Sequence, residues 1–188
     1  MEHPVREIKG VVRGLVCAKN AQEQRATAQK YMTPNASFDH PMCAVPSFPG
    51  SRDSGLLPIY QWLRIMFMDT LIDIHSVAYD EDNEKIYLSA TQTLRCNVPL
   101  IRYIIVPKPS LFVCLDLVRT DGKYYITKQT DVYAVQEIFG MLGPWLFCVV
   151  MLIKYFTGFF CLLLASPFQF LGFWNPGSQR IKLSADEQ

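Results

Sequence analysis

The chain has 188 residues and a formal net charge of +1 at pH 7, and half of its residues are hydrophobic. This length suits one domain with an additional segment, and the hydrophobic share is high for a soluble protein but low for one with many membrane spans. The near-neutral charge and the lack of a run of Lys or Arg exclude the electrostatic pattern of a nucleic-acid-binding protein, so we expect no nucleic-acid partner.

The six cysteines and three histidines are scattered along the chain, and no Cys-x-x-Cys pair occurs. This spacing does not support a structural zinc site. We therefore expect reduced thiols in a cytosolic redox environment and no metal or organic cofactor. The first ten residues are polar and of mixed charge, which is not the pattern of a secretory signal peptide.

Two helices are predicted at the start of the chain. Pro4 suits a first helical turn, and apolar residues recur behind it at helical spacing as far as Val16. A second helix is expected over Ala21–Tyr31. Asn20 and Glu23 have the spacing of a capping box, in which Asn replaces the usual Ser or Thr.

The middle of the chain has the pattern of a strand, a helix and four further strands. The segment "ASFDHPMCAV" is short and extended, with Pro41 at an edge or a bend, and a third helix begins near Leu57 with Pro58 in its first turn. Turn-forming residues separate the later strands, which are Thr70–Asp80, Lys85–Cys96, Ser110–Arg119 and Lys123–Tyr133. This order predicts an α+β fold, in which a curved antiparallel sheet wraps over the N-terminal helices as a cone with an internal pocket.

The last predicted strand has one face rich in hydrogen-bonding and aromatic side chains. Because successive side chains of a strand alternate between its faces, this face carries Tyr125, Thr127, Gln129, Asp131 and Tyr133. It is either a polar, solvated face or the wall of a pocket with polar anchors. The same alternation places Asp73 and His75 together on an earlier strand, either as an acid–base pair or as a surface cluster.

The C-terminal part of the chain is the most apolar. From Ile138 to Trp174 the only charged residue is Lys154, and the composition changes near Ala134. We therefore predict three parts, namely a first domain over residues 1–134, a hydrophobic membrane-anchoring helical segment over 135–174 and a polar tail over 175–188.

Three arrangements of the hydrophobic segment compete: a single tilted span, two helices folded into a hairpin within one leaflet, and a core or dimerisation helix of a soluble protein. Lys154 at the bilayer centre would cost about 2.5–3.5 kcal/mol, and Gly158 and Ser166-Pro167 interrupt a continuous span. These features favour a hairpin or a shallow insertion, with Lys154 reaching the interface. The aromatic residues that suit interfacial anchoring are Trp145, Tyr155, Phe173 and Trp174.

Several motifs resemble those of one superfamily. "YMTPNASFDHP" is similar to the segment of nuclear-transport-factor-2-like proteins in which a helix ends and the first strand begins. Ketosteroid isomerases and SnoaL-like polyketide cyclases share this segment. Within the superfamily the chain most resembles small fungal SigF-like proteins, through Pro4–Leu15, Ser37–Pro41, His75–Glu81, Asp121–Tyr133 and the apolar segment from Ile138. The resemblance covers essentially the whole chain and implies a cone-shaped α+β fold with an open-ended apolar cavity.

The resemblance also implies a site. In ketosteroid isomerases the residue before the proline is the general base, and His40 has that position here. The unperturbed pKa of a histidine, about 6.5, suits base chemistry near neutral pH. Asp39 would point to the opposite face of a regular strand. The last strand of the isomerases lines their cavity, which implies a wall of Thr127, Gln129 and Asp131 here.

We accordingly expect His40 and Asp131 to be the catalytic residues, with a raised pKa for a carboxylate inside an apolar cone. Gln129, Tyr60 and Tyr133 are the expected hydrogen-bond donors. The full set of predicted substrate-binding residues is Gln129, Thr127, Tyr125, Tyr133, Tyr60, Trp62, Phe38 and His75.

The function implied is that of a polyketide cyclase of secondary metabolism, which closes a lactone or α-pyrone ring on a hydrophobic polyene polyketide by acid/base catalysis. A membrane-tethered, non-catalytic carrier of lipids or polyketides is one alternative, and a membrane-anchored interaction module that dimerises through its exposed sheet is another. The expected partners are a hydrophobic polyketide or lipid-like molecule, a membrane or lipid-droplet surface and, in a homodimer, a second copy. We expect the protein on the cytosolic face of the endoplasmic reticulum or of lipid droplets.

Overall fold

The computed structural model describes residues 1–97 and 106–171 of the chain. Its first two elements are the helices α1 (Pro4–Val16) and α2 (Ala21–Tyr31). The side chain of Asn20 accepts a hydrogen bond from the backbone N–H of Glu23 at 2.8 Å, which satisfies one of the free donors at the start of α2. The predicted helix cap is therefore confirmed.

The next two strands, β1 (Met32–His40) and β2 (Cys43–Val45), form a hairpin with Pro41 in its turn. A π-helical turn then leads into α3 (Leu57–Met66), which begins where the sequence predicted it. Pro58 lacks a backbone N–H, so it fits the first helical turn without leaving a donor unpaired.

Four longer strands follow, and together with the hairpin they form one curved sheet. They are β3 (Phe67–Asp80), β4 (Lys85–Cys96), β5 (Ser110–Thr120) and β6 (Lys123–Tyr133). The strand order is β2-β1-β6-β5-β4-β3. All neighbouring pairs are antiparallel except β1 and β6, which run parallel. The sheet is therefore mixed, whereas the sequence predicted a wholly antiparallel one.

A β-bulge in β3 changes which side chains face the inside of the sheet. Ile74 and Ser76 pair with adjacent residues of β4, so His75 between them is an extra residue. A bulge bends its strand and shifts the alternation by one residue. Ile74 and Val77 consequently both pack against the core, although an unbroken strand would place them on opposite faces.

A second bulge lies in β6. Ile126 and Lys128 pair with adjacent residues of β5, so Thr127 is extra. Ile126 and Gln129 are both buried inside the sheet, on either side of this bulge. The polar face predicted from unbroken alternation is therefore correct after the bulge and wrong before it, where Tyr125 turns to the outside.

The inside of the sheet packs on the N-terminal helices. Ile8 and Leu15 of α1 are buried together with Ile86, Leu88 and Leu115 of the sheet in one hydrophobic core. This packing is the α+β arrangement that the sequence predicted, with the helices held inside the curve of the sheet.

Two helices follow the sheet, α4 (Val135–Leu142) and α5 (Pro144–Phe170), joined at Gly143. Among the described residues α5 is the helix that is long and apolar enough to cross a membrane, and none of its residues is buried. It is therefore not a core helix of this chain.

The interruptions that the sequence predicted within α5 are absent. The helix is continuous through Gly158 and Pro167, and the Ser166 hydroxyl donates to the carbonyl of Leu162 at 2.7 Å. The bend in the apolar segment lies instead at residue 143, between α4 and α5. The predicted anchors Phe173 and Trp174 and the polar tail lie outside the described residues. The predicted division of the chain at residue 134 stays a prediction.

Candidate active site

A cavity of about 480 Å³ lies between the inside of the sheet and the helices α1 and α3. Its apolar walls come from both layers and are formed by Val12, Val16, Phe38, Pro58, Ile59, Leu63, Ile72, Leu111 and Val113. A volume of this size accommodates a small organic molecule, and mostly apolar walls are typical of small-molecule sites.

The cavity lies toward one end of the strands. Strands β1, β4 and β6 end there and strands β3 and β5 begin there. We call this the mouth end of the sheet. The turns between β3 and β4 and between β5 and β6 lie at the opposite end, which we call the turn end.

A chain of hydrogen bonds runs along one wall of the cavity. The hydroxyl of Tyr60 donates to Oε1 of Gln129 at 2.6 Å, and Nε2 of Gln129 donates to Oδ1 of Asp131 at 2.9 Å. Because the amide of Gln129 is fixed by Tyr60, its N–H is aimed at the carboxylate. Gln129 therefore orients Asp131.

The carboxyl group of Asp131 is the strongest electrostatic feature of the cavity. Burial disfavours its charged form and raises the pKa of Asp131 to about 7, and the hydrogen bond from Gln129 offsets this effect only in part. Near neutral pH both the acid and the carboxylate are consequently populated. A group of this kind can both accept and return a proton.

His40 contributes a second titratable group to the cavity. The backbone N–H of Met42 donates to Nδ1 of His40 at 3.1 Å, so the proton of the neutral ring is on Nε2. Burial lowers the pKa of His40, although the neighbouring Asp39 carboxylate acts in the opposite direction. His40 is therefore a neutral imidazole with one N–H left to donate, rather than a free base. Asp39 is exposed, as the alternation of β1 predicts.

Two phenols complete the polar groups of the cavity. Burial and the charge of Asp131 raise the pKa of Tyr60 and of Tyr133 above the ordinary tyrosine range, so both hydroxyls stay protonated. The ring of Tyr133 meets that of His40 edge-on, with centroids 5.1 Å apart. Its hydroxyl lies 3.5 Å from Oε1 of Gln92, at the limit of a hydrogen bond.

The structure brings seven of the predicted site residues into this cavity. They are Phe38, His40, Tyr60, Trp62, Gln129, Asp131 and Tyr133. Three predicted residues do not line it. Tyr125 pairs with Val118 on the outside of the sheet, and the hydroxyl of Thr127 donates to the carbonyl of Asp116 at 3.1 Å within the bulge.

His75 is the third residue outside the cavity. Its Nε2 lies 2.8 Å from the hydroxyl of Thr91, and its Nδ1 lies 4.0 Å from Asp73. Both side chains of the Asp73–His75 pair are at least half exposed. The pair is therefore a surface cluster, the second of the two arrangements that the sequence left open.

Besides residues of the apolar walls, sequence reasoning missed Gln92, Met42 and Cys43. Gln92 had a signal, because it is the one polar residue among the inward positions of β4, where the others are Ile86, Leu88, Ala90 and Leu94. Met42 and Cys43 follow β1 in the hairpin and had none. Within the described ranges no group of three or more His, Cys, Asp or Glu side chains could hold a metal ion.

Comparison with known proteins identifies a family. The family model described as the SigF NTF2-like domain matches residues 1–173. No curated protein matches the chain. A putative SnoaL-like polyketide cyclase from Jannaschia sp. aligns with a TM-score of 0.52 at 12% identity, over 72% of this chain and 92% of that one.

Two further solved structures are similar. A putative scytalone dehydratase from Novosphingobium aromaticivorans has a TM-score of 0.54 at 10% identity, over 69% of this chain and 83% of that one. AclR, a putative hydroxylase from Streptomyces galilaeus, has a TM-score of 0.51 at 16% identity, over 74% of this chain and 98% of that one. At such identities the likeness shows the fold, and the chemistry has to be argued from the residues of the cavity.

Proposed function

Because the chain belongs to the family of SigF NTF2-like domains, we propose that its cavity is the active site of a cyclase or dehydratase-type enzyme that uses acid/base catalysis. The observation that carries this proposal is Asp131, whose pKa is raised to about 7 within an apolar cavity. A carboxyl group that only stabilised the fold would gain nothing from this environment, since burying a charge is costly. A proton-transfer group gains a pKa matched to neutral pH.

The finer proposal is closure of a lactone or α-pyrone ring on a hydrophobic polyene polyketide. The Asp131 carboxylate takes the proton of an enol hydroxyl, and the enol oxygen attacks a thioester or ester carbonyl carbon of the same chain. The C–O bond closes the ring, and negative charge develops on the former carbonyl oxygen. When the tetrahedral intermediate collapses, the leaving thiolate or alkoxide takes the proton back from Asp131. The reaction involves no net oxidation or reduction of the substrate.

His40 is the proposed donor to the oxygen on which charge develops. With Nδ1 occupied by the Met42 N–H, the remaining N–H of the neutral ring can stabilise an oxyanion. The hydroxyl of Tyr133, whose contact with Gln92 is long, is a second donor for the same oxygen. The amide of Gln129 and the hydroxyl of Tyr60 hold Asp131 in place and are positioning groups. Trp62 and Phe38 would contact the apolar chain of the substrate.

A non-catalytic carrier of lipids or polyketides is the second candidate. The apolar walls favour it, together with the fact that Tyr60, Gln129 and Asp131 already bond to one another and need no ligand. A carrier would require the cavity but no proton transfer.

Product formation from a polyene diketo thioester separates the two functions. We expect Asp131→Asn to lower the rate above background by roughly 10²–10⁴-fold, because the base is lost. His40→Ala should lower it by roughly 10²–10³-fold, while His40→Gln, which keeps an N–H near the position of Nε2, should retain more activity. The wild-type kcat/KM should rise with pH through about 7 as Asp131 ionises.

Binding of the same probe provides the control. If Asp131→Asn and His40→Ala both bind it and both leave the rate of product formation unchanged, the enzyme proposal fails and the carrier stands. If His40→Gln is as impaired as His40→Ala, the neutral-donor role of His40 is wrong.

We further propose that α5 attaches the protein to a membrane, at the cytosolic face of the endoplasmic reticulum or of lipid droplets. The support is α5 itself, which is predominantly apolar, with Lys154 as its single charge, and has no buried residue. Recovery of the full chain in the soluble fraction without detergent would contradict this proposal. A homodimer through the outside of the sheet, where Phe112 and Val132 are exposed, stays a prediction that sedimentation would test.

A further inference from the structure

The cavity opens at the mouth end of the sheet. Three of its lining residues, Met42, Cys43 and Trp62, are exposed. Met42 and Cys43 come just after Pro41, which follows the last residue of β1, and Trp62 lies on α3, which ends immediately before β3 begins. A ligand that enters past these side chains therefore passes the same end of the sheet.

The side chains around this opening are apolar. Trp62, Ile65 and Met66 are spaced three and four residues apart and so lie on one face of α3. They are 57%, 67% and 39% exposed, and Met42 is 64% exposed. We call these four residues the rim. Several large apolar side chains exposed next to one another mark an interaction surface.

The turn end of the sheet is different in chemistry. Its β3–β4 turn carries Asp80, Glu81, Asp82, Glu84 and Lys85, and its β5–β6 turn carries Asp121 and Lys123. The two turns at this end are therefore charged, whereas the rim at the mouth end is apolar.

The C-terminal helices start at the mouth end. Tyr133 lines the cavity, and α4 begins two residues later. The segment 106–109, which leads into β5, borders a shallow pocket together with Gly140 of α4 and Pro144 and Phe147 of α5. The first turns of α5 thus lie beside the start of β5, at the mouth end.

The single charge of α5 also lies near this end. Nζ of Lys154 donates to Oε1 of Gln136, in the first turn of α4, at 3.1 Å. Beyond Lys154, the uncharged stretch Tyr155–Phe170 extends for about 24 Å at a rise of about 1.5 Å per residue. The helix that would enter a bilayer therefore leaves from the same end of the domain as the rim.

We propose that the mouth end rests on the bilayer that receives α5, with the rim inserted into its surface, so that a hydrophobic substrate passes between lipid and cavity without crossing water. This inference rests on the proposed membrane attachment of α5. The partner is a lipid surface, because the rim offers apolar and aromatic side chains of the kind that bind at the boundary between headgroups and acyl chains.

Quenching of tryptophan fluorescence by brominated lipid tests the proposal on the full chain in phosphatidylcholine vesicles. The chain has three tryptophans, at positions 62, 145 and 174. Trp145→Phe with Trp174→Phe leaves Trp62 as the reporter of the rim. In a background that also carries Trp62→Phe, Phe160→Trp reports on α5 and Tyr87→Trp reports on the outside of the sheet near the turn end.

We expect lipid to quench the rim reporter and the Phe160→Trp reporter and to leave the Tyr87→Trp reporter unchanged. If only the Phe160→Trp reporter is quenched, α5 is attached but the mouth end faces water, and the proposal is overturned while membrane attachment stands. If none is quenched, membrane attachment fails and this inference fails with it.

A charged substitution in the rim sharpens the test. Ile65→Asp changes an exposed rim residue outside the cavity wall and should reduce quenching of Trp62, while quenching of the Phe160→Trp reporter persists. The matched control is Val5→Asp, which places the same charge on an aliphatic residue of α1 that is 46% exposed. Equal quenching of Trp62 in Ile65→Asp and Val5→Asp would contradict contact between the rim and lipid.

Discussion

The two ends of the sheet are held together in different ways. At the turn end, the backbone N–H of Asn83 donates to Oδ1 of Asp80 at 3.1 Å, within one turn. Asp121 and Gly122 both have positive φ angles, 51° and 76°, as a tight hairpin requires. At the mouth end, Tyr60 bonds to Gln129 across 69 positions of the chain. The turn end is thus formed by contacts between residues close in sequence, and the mouth end by contacts between residues far apart in sequence.

The two ends also differ in what they contribute to the free energy of folding. The turns are largely exposed, so their charged side chains keep their contact with water. The mouth end holds Asp131, whose ionised form is disfavoured by burial. The mouth end therefore contains a group that lowers stability at the place where the chemistry is proposed. In enzymes, active-site groups often reduce stability in this way.

The largest expected effect comes from removing that group. Burial raises the pKa of Asp131 from 3.8 in the unfolded chain to about 7 in the folded one. Below pH 4 both states are protonated and the cost of ionisation is absent. This cost to the free energy of unfolding increases as the pH rises from 4 to 7. Above pH 7 it is constant, at up to about 4 kcal/mol. Asp131→Asn should therefore increase the free energy of unfolding at pH 8 by up to that amount and leave it nearly unchanged at pH 4.

Urea denaturation in mild detergent between pH 4 and pH 8 measures this effect. The matched control is Asp39→Asn, which removes an exposed carboxylate at the same end of the sheet. If the stability of Asp131→Asn follows that of the wild type in parallel over the whole range, Asp131 does not have the raised pKa on which the proposed function depends.

The elements at both ends could be predicted because their signals are local. The Asn20 cap, Pro58 in a first helical turn and the Asp-Gly turn at residues 121–122 each act within a few residues. The parallel pairing of β1 with β6 has no such signal, since it joins strands far apart in sequence.

The candidate site was predictable only as far as strand alternation holds. Asp131 and Tyr133 follow the bulge of β6, and simple alternation places them correctly in the cavity. The extra residues Thr127 and His75 shift the register of their strands, and nothing in the neighbouring sequence marks them. The predicted positions of Tyr125 and Thr127 were therefore wrong for one physical reason, the β-bulge of β6. His75 lies outside the cavity because the face that it shares with Asp73 is the outer one.

Two glycines, one near each end, allow a direct comparison of the ends by the same substitution, with smaller expected effects than that of Asp131→Asn. A Cβ on Gly55, in the turn before α3, would lie 2.5 Å from Cγ1 of Val45, whereas a Cβ on Gly122 meets nothing within 4 Å. Gly55→Ala should cost about 1–3 kcal/mol of stability through overpacking and lower the activity, because α3 carries Tyr60 and Trp62. Gly122→Ala should cost about 1 kcal/mol, from its φ of +76° alone.

Thermal unfolding and product formation, measured on both variants, decide whether the ends are independent. We expect Gly122→Ala to lower Tm while kcat and KM stay at the wild-type values, since the β5–β6 turn contributes no residue to the cavity wall. Gly55→Ala should change kcat even at temperatures where it is fully folded. A fall in kcat for Gly122→Ala of the same size as for Gly55→Ala would mean that strain at the turn end reaches Asp131 along β6, and the two ends would then have to be treated as one cooperative unit.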